Sequence, residues 1–295
     1  MNTPTRAPAL LRRRLLGRAL LLPLSPLIAL SACASRWPDA PAGPGSSSAR
    51  SRLQESADAH GLAAWRRLQS VSLGFAGFWS PLGAAAGAGA EAVQARWRPG
   101  DGVLALGWPS AAGQQQLWRR IPGTEVQLWR EGRPITDPAE RQATALLADL
   151  HRLLWLGPMA VADTTAAVQW AEPETLQGLR CDHLHLALAP GLGLGYAATD
   201  RLSLFIDRDR GLLRRLRVSL SSLGTALPGL AEVDLFDHRR LHGVAWPTRF
   251  EARSPSAASW RLTGLEVDRG FSADDMGDAV WRGKAVEAAH RLLPP

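Results

Sequence analysis

Lysine is all but missing from this chain of 295 residues, with Lys284 the only one. Cysteine occurs twice, at Cys33 and Cys181, and tyrosine once. Arginine carries almost all of the positive charge, and its placement decides what the formal +7 means. Residues 1–32 contain five arginines (Arg6, Arg12, Arg13, Arg14 and Arg18) and no acidic residue; removing them from the 34 basic residues leaves 29 against 27 acidic, a net charge of +2. A folded part so nearly balanced lacks the concentrated basic face of a nucleic-acid binder. There is no Gly-x-Ser-x-Gly, no phosphate-binding glycine loop and no His-Glu-x-x-His, so the commonest hydrolase, nucleotide and zinc-protease signatures are excluded. No helical repeat and no alternation of strand with long helix appears, which argues against a parallel α/β sheet.

What is present begins with an export signal. Arg12-Arg13-Arg14 precedes an apolar run, residues 19–30, that is broken by Pro23 and Pro26 and too short to remain as a membrane span. It ends in Leu30-Ser31-Ala32-Cys33, the lipobox pattern of bacterial lipoproteins. In that class the chain is cut before the cysteine and the thiol is acylated, with palmitate among the usual chains, so Cys33 is expected to anchor the protein in a membrane. Arg12-Arg13-Arg14-Leu15-Leu16 also leaves twin-arginine export open beside the general secretory route. Residues 33–51, rich in Pro, Gly, Ser and Ala, read as a flexible tether. Ala34 and Ser35 lack the aspartate that retains enterobacterial lipoproteins in the inner membrane, so the outer membrane, facing the periplasm, is the expected address. With Cys33 taken by lipid, Cys181 has no partner for a disulfide.

Residues 52–295 read as a single domain. Residues 52–70 form a helix on the stripe Leu53, Ala57, Leu62, Trp65 and Leu68, weakened at Gly61. Alternating strands follow over 71–79, 93–97, 103–108, 114–120 and 125–130, with residues 81–90 as a Gly/Ala loop and turns at Arg98-Pro99-Gly100-Asp101-Gly102 and Ile121-Pro122-Gly123. Residues 137–156 form the main helix: Asp137-Pro138-Ala139-Glu140 is a capping box with proline at the first helical position, Ala143, Leu146, Leu147, Leu150, Leu153 and Leu154 make a broad apolar face, and Gly157-Pro158 stops it. A second meander runs from residue 166 to residue 267, and a short helix falls near residues 275–292. Within that meander Leu202, Leu204 and Ile206 alternate with Ser203, Phe205 and Asp207. After the turn Asp207-Arg208-Asp209-Arg210-Gly211, the return strand places Leu212, Leu216, Val218 and Leu220 on one face and Leu213, Arg215, Arg217 and Ser219 on the other, with Arg214 breaking the pattern. That alternation predicts one dry and one wet face. Pro247 removes a ladder donor, so the strand over 244–250 is expected at an edge or at a bulge. The sum is an α+β fold of about ten or eleven strands in a large antiparallel sheet.

Three stretches carry a resemblance: His60-Gly61-Leu62-Ala63-Ala64-Trp65-Arg66-Arg67-Leu68-Gln69-Ser70-Val71, then Leu202-Ser203-Leu204-Phe205-Ile206-Asp207 with Gly211-Leu212-Leu213-Arg214-Arg215, and His242-Gly243-Val244-Ala245-Trp246-Pro247-Thr248-Arg249-Phe250. In pattern and strand order the chain resembles the LolA/LolB-like superfamily of bacterial envelope lipoproteins and lipoprotein carriers. The resemblance implies a curved sheet, a half-open β-barrel, with helices packed on its concave side, holding a lipid or acyl chain there without catalytic residues or cofactor. Residues 81–90 have no counterpart in that family, which points to a relative with its own hydrophobic ligand.

Candidate functional residues follow. Trp79, Trp97, Leu146, Leu150, Leu153 and Trp155 are the expected ligand-binding set, because an acyl pocket is apolar and the main helix and first meander supply those side chains. Cys181, His183 and His185 share one strand face and have the donor types for zinc or copper, but no fourth ligand is spaced nearby, so no metal is expected. A hydrolase or metal protein using these three is the third functional reading, after a carrier and after an envelope scaffold that binds protein partners through a sheet edge near Pro247. Asp237, His238 and His242 flank one turn, where such residues commonly satisfy local backbone groups. Arg208, Arg210, Arg214, Arg215 and Arg217 make a basic strand that either meets anionic headgroups or is a solvated face.

Overall fold

The structure, a computed structural model, describes residues 45–77, 93–110, 113–120, 125–187, 201–219, 230–254 and 257–268, with Gly270 and Met276. The export signal, Cys33, Trp79, the 81–90 loop, the glycine-rich stretch 191–195 and the expected C-terminal helix lie outside the described residues.

The N-terminal helix starts earlier than its stripe predicts. α1 spans Ser47–His60, with the Ser46 hydroxyl accepting from the Ala49 amide as N-cap. Arg50 ties it to the carbonyls of Thr164 and Ala166, and Arg52 ties it to Asp182 and to the Asp207 carbonyl. These distant partners order a segment whose composition alone reads as linker. The helix then breaks at Gly61, whose φ is +95°, and resumes as the short α2, Leu62–Trp65. The break is required by packing as well as by the backbone angle. A Cβ at Gly61 would sit 2.2 Å from the carbonyl oxygen of Gly243.

The sheet holds more strands than expected. Among the described residues, thirteen strands form one sheet and two form a separate ribbon. The first meander is β1 Val71–Ala76, β2 Val93–Arg98, β3 Val103–Ser110, β4 Gly113–Arg120, β5 Val126–Arg130 and the two-residue β6 Arg133–Pro134. α3, Pro138–Leu156, follows, with the Asp137 carboxylate accepting from the Glu140 amide at 2.7 Å. The reciprocal half of the expected box is absent, because the Glu140 side chain goes to Arg130 instead. The second meander is β7 Val168–Leu176, β8 Leu179–Ala187, β9 Arg201–Asp207, β10 Leu213–Ser219, β11 Leu230–Phe236, β12 Arg239–Leu241, β13 Val244–Trp246, β14 Arg249–Ser254 and β15 Ala258–Val267. The order across the sheet is β6-β5-β4-β3-β2-β1-β15-β14-β11-β10-β9-β8-β7, antiparallel throughout. The two meanders therefore meet where β1 pairs with β15, from Val71 opposite Val267 to Ala76 opposite Arg261. The sheet is curved and not closed, with β6 and β7 as its outer strands.

Two expectations are corrected here. Pro247 is at neither an edge of the large sheet nor within a strand: it separates β13 from β14. β14 lies inside the sheet between β11 and β15, while β13 pairs with β12 and packs against α1 and α2. β13 is buried, whereas Arg239, Arg240, His242 and Gly243 of the same ribbon stay exposed. The second correction concerns β10. A bulge at Arg214 puts Leu213 opposite Ile206 and Arg215 opposite Phe205, so Leu213, not Leu212, joins Leu216 and Val218 on the buried face. The other face of β9 and β10 is not wet either, since Ser203, Phe205, Asp207 and Arg215 are all buried.

Candidate apolar ligand site

α3 crosses the inner face of the sheet. It packs on β4 and β5, and the 3-10 turn that continues it, Gly157–Ala160, reaches α1 and β10. From Thr144 to Leu156 every residue except Arg152 is buried. A helix buried all round needs an apolar surface on every side. The sheet provides it through Val93, Ala95 and Trp97 of β2, Leu104, Leu106 and Trp108 of β3, Leu216 and Val218 of β10, and Phe250 of β14, all in one continuous cluster.

Beneath the last turns of α3 this cluster is aromatic. Trp155 stacks on Phe75 with ring centroids 5.1 Å apart, Phe75 meets Phe250 edge-on at 6.4 Å, and Phe250 stacks on Trp260 at 5.1 Å. His151, one turn before Trp155 on the helix, touches Trp260 and Trp155 at 6.0 and 5.7 Å. The contacts thus close into a ring of five side chains drawn from α3, β1, β14 and β15. Trp97 adds a sixth at 6.4 Å from Trp155 and leads on to Trp65 and Trp246. Offset and edge-on geometries of this kind contribute about 0.5–1.5 kcal/mol per pair beyond the area they bury.

Five of the six expected ligand-binding residues are brought together: Trp97, Leu146, Leu150, Leu153 and Trp155 all lie in the buried cluster. The sequence reading missed Phe75, His151, Phe250 and Trp260. Period-two alternation in β1 and β15 marks Phe75 and Trp260 as inward-facing, but nothing local shows that these strands are neighbours.

The strand-borne histidines form a different structure on the opposite face. His183 stacks on Phe205 at 4.0 Å and touches His185 at 4.3 Å, while Ser203 and His185 share a 2.7 Å hydrogen bond. Burial lowers both imidazoles, His183 to about 3 and His185 to about 4, and raises the Cys181 thiol to about 11. No group of three His, Cys, Asp or Glu residues placed to hold a metal occurs among the described residues. The basic strand is largely neutralised: Arg208 pairs with Asp182, Arg214 with Asp207, Arg215 with Asp234 and Arg217 with Glu232. Asp237 pairs with Arg249 rather than with the histidines of its turn. His238 instead packs edge-on against His60, 5.8 Å away.

No family model and no curated protein sequence matches the chain. Solved structures do. A DUF1329 family protein from Desulfovibrio piger covers 78% of this chain and 98% of its own at 12% identity, with a TM-score of 0.50. A LolA superfamily protein from Nitrosomonas europaea has the same coverages and identity at a TM-score of 0.47. The likeness to the DUF1329 family protein is one of fold. An outer membrane lipoprotein-sorting protein domain from Vibrio parahaemolyticus matches over the same shares at 9% identity and a TM-score of 0.39. In this chain the helix on the inner face is α3, and the aromatic ring lies under its C-terminal turns, where the first and second meanders join.

Proposed function

We propose that this protein is a non-enzymatic lipoprotein, anchored through acylated Cys33 in the outer membrane and facing the periplasm, that binds a lipid or acyl chain between α3 and the inner face of its sheet. The observation that carries the reading is the continuity of the apolar interior around the C-terminal two-thirds of α3, buried from Thr144 to Leu156 except at Arg152. Trp97, Leu146, Leu150, Leu153 and Trp155 belong to one cluster that runs from β2 to β10. Displacing α3 outward would expose that surface in a single step, and an acyl chain replaces helix-to-sheet contacts with chain-to-sheet contacts of the same chemistry. Trp79 belongs to the proposed lining on sequence grounds.

Residues 36–295, purified without detergent, test it by native mass spectrometry followed by solvent extraction. A bound lipid that leaves on extraction, and uptake of a fluorescent fatty acid by the emptied protein, are expected. A clean unliganded mass with no uptake would overturn the reading.

A further inference from the structure

Two large apolar side chains are exposed among the described residues, Trp170 at 43% and Leu179 at 38%. Trp170 lies on β7, the last strand in the order of the sheet, opposite Leu184 of the core. It therefore belongs to the inner face, at its outer margin. The chain enters the fold at the same place. The Ser46 amide donates to the Val168 carbonyl at 2.8 Å, and a Cβ on Gly45 would lie 2.7 Å from the Val168 amide nitrogen. Trp170 Nε1 donates to the Ser48 hydroxyl at 3.0 Å. The one polar atom of the indole is thus engaged by the first turn of α1, and the rest of the ring is carbon.

We propose that Trp170 seats in the boundary between headgroups and acyl chains of the bilayer that holds the lipid on Cys33. This rests on the anchored part of the reading above and not on its carrier part. A side chain with an apolar body and an engaged polar edge matches that boundary, where tryptophan is enriched. Twelve residues, 34–45, separate Cys33 from Ser46. A flexible linker of that length has a root-mean-square span of about 20 Å. The anchor then presents the bilayer to the entry point of the chain, beside Trp170, at an effective concentration on the order of millimolar. A contact too weak to recruit a free protein suffices under that condition. Charge does not select the partner, because Arg50 in the first turn of α1 and Glu172 two positions along β7 are both exposed and opposite in sign. The contact is apolar, and salt leaves it in place.

The test uses the full acylated chain, labelled throughout with fluorotryptophan, in nanodiscs of phosphatidylethanolamine and phosphatidylglycerol. The fluorine resonance lost in Trp170→Phe is that of Trp170. A nitroxide carried on the lipid should broaden that resonance beyond detection, at low and at high salt, while a gadolinium chelate in the water leaves it sharp. Broadening by the chelate and not by the lipid nitroxide overturns the inference while the anchor stands. A resonance spared by both reports a protein surface over Trp170, a second copy or a partner, and overturns the bilayer as its occupant. Protein that does not remain with the discs overturns the anchor and this inference together. Should Trp170→Phe not fold, a nitroxide on Glu172→Cys, in a chain that keeps Trp170, decides instead. More frequent collision with oxygen than with a water-soluble nickel complex is expected there, and the reverse overturns the inference.

Discussion

His60 is held as a neutral imidazole by two backbone groups of opposite polarity. Its Nδ1 lies 2.8 Å from the Ser56 carbonyl, to which it donates, and its Nε2 accepts from the Leu213 amide at 3.3 Å. Protonating Nε2 would break the second bond inside the core. Burial first, then the nearby Arg240 and Arg214 guanidiniums, lower its pKa to about 4, against the opposing pull of the Ser56 carbonyl. His238 beside it is lowered to about 3 by burial and by His60 and Arg214, with Asp207 acting the other way. The neutral form is the one the fold favours, so the stability these residues contribute is complete above pH 6.5 and is lost as the pH falls from 6.5 toward 4. At about 1.4 kcal/mol per unit, His60 alone accounts for a loss of about 2 kcal/mol by pH 5. Urea melts between pH 7 and pH 5 should show this decline, and His60→Gln should flatten part of it. An unchanged slope in the variant would place the acid sensitivity elsewhere. None of this was legible in the sequence, where His60 only opens one of the three stretches that carry the resemblance. Its partner Leu213 lies on a strand 153 positions away.

At the scale of elements, the local signals worked where the stabilising partner is local. Asp137 caps α3 through an amide three residues on, and that spacing is visible in the chain. Gly61 shows the limit. Its low helix propensity reads as a soft spot, whereas the structure makes it a hard break, because Gly243 in the turn before β13 presses against it. Ala at this position would be strained at φ +95° by about 1–2 kcal/mol and would also collide with the Gly243 carbonyl. Gly61→Ala should therefore lower the urea midpoint by an amount equivalent to about 2 kcal/mol or more. Gly100→Ala is the control: it lies in the turn between β2 and β3, and a Cβ there meets nothing within 4 Å. Equal effects of the two substitutions would mean that the contact between the α1–α2 break and the β12–β13 ribbon is weak. The bulge at Arg214 belongs to the same class of feature. The sequence displays a broken alternation, but only pairing with β9 shows which leucine turns inward.

At the scale of the whole molecule, the class of fold was legible because alternation, turn residues and one enclosed helix recur along the chain. The order of strands came through less completely, since β1 and β15 are far apart in sequence and their pairing leaves no local mark. That pairing is the seam of the sheet. The N-terminal meander, β1 to β6, holds α3, while the C-terminal meander holds α1 through Arg50, Arg52 and Ser56. Besides the seam, the halves are joined on the inner face by α3 with its 3-10 continuation and by Trp65 against Trp97. A charge buried in the seam discriminates between these two kinds of joint. Leu73 is 2% exposed and sits opposite Leu265, so Leu73→Asp places an unpaired carboxylate where only apolar groups surround it, at a cost of several kcal/mol. If the seam unites the halves, hydrogen exchange should show protection falling in β1 to β5 while β8 to β11 remain protected, because those strands pair among themselves and carry α1. If the core under α3 unites them, protection falls across both halves together. Acyl ligand added to the variant then separates the cases further. A chain lying between α3 and the sheet would lend the first meander protection through the aromatic ring that links Phe75 and Trp155 to Phe250 and Trp260, and ligand bound anywhere else would not.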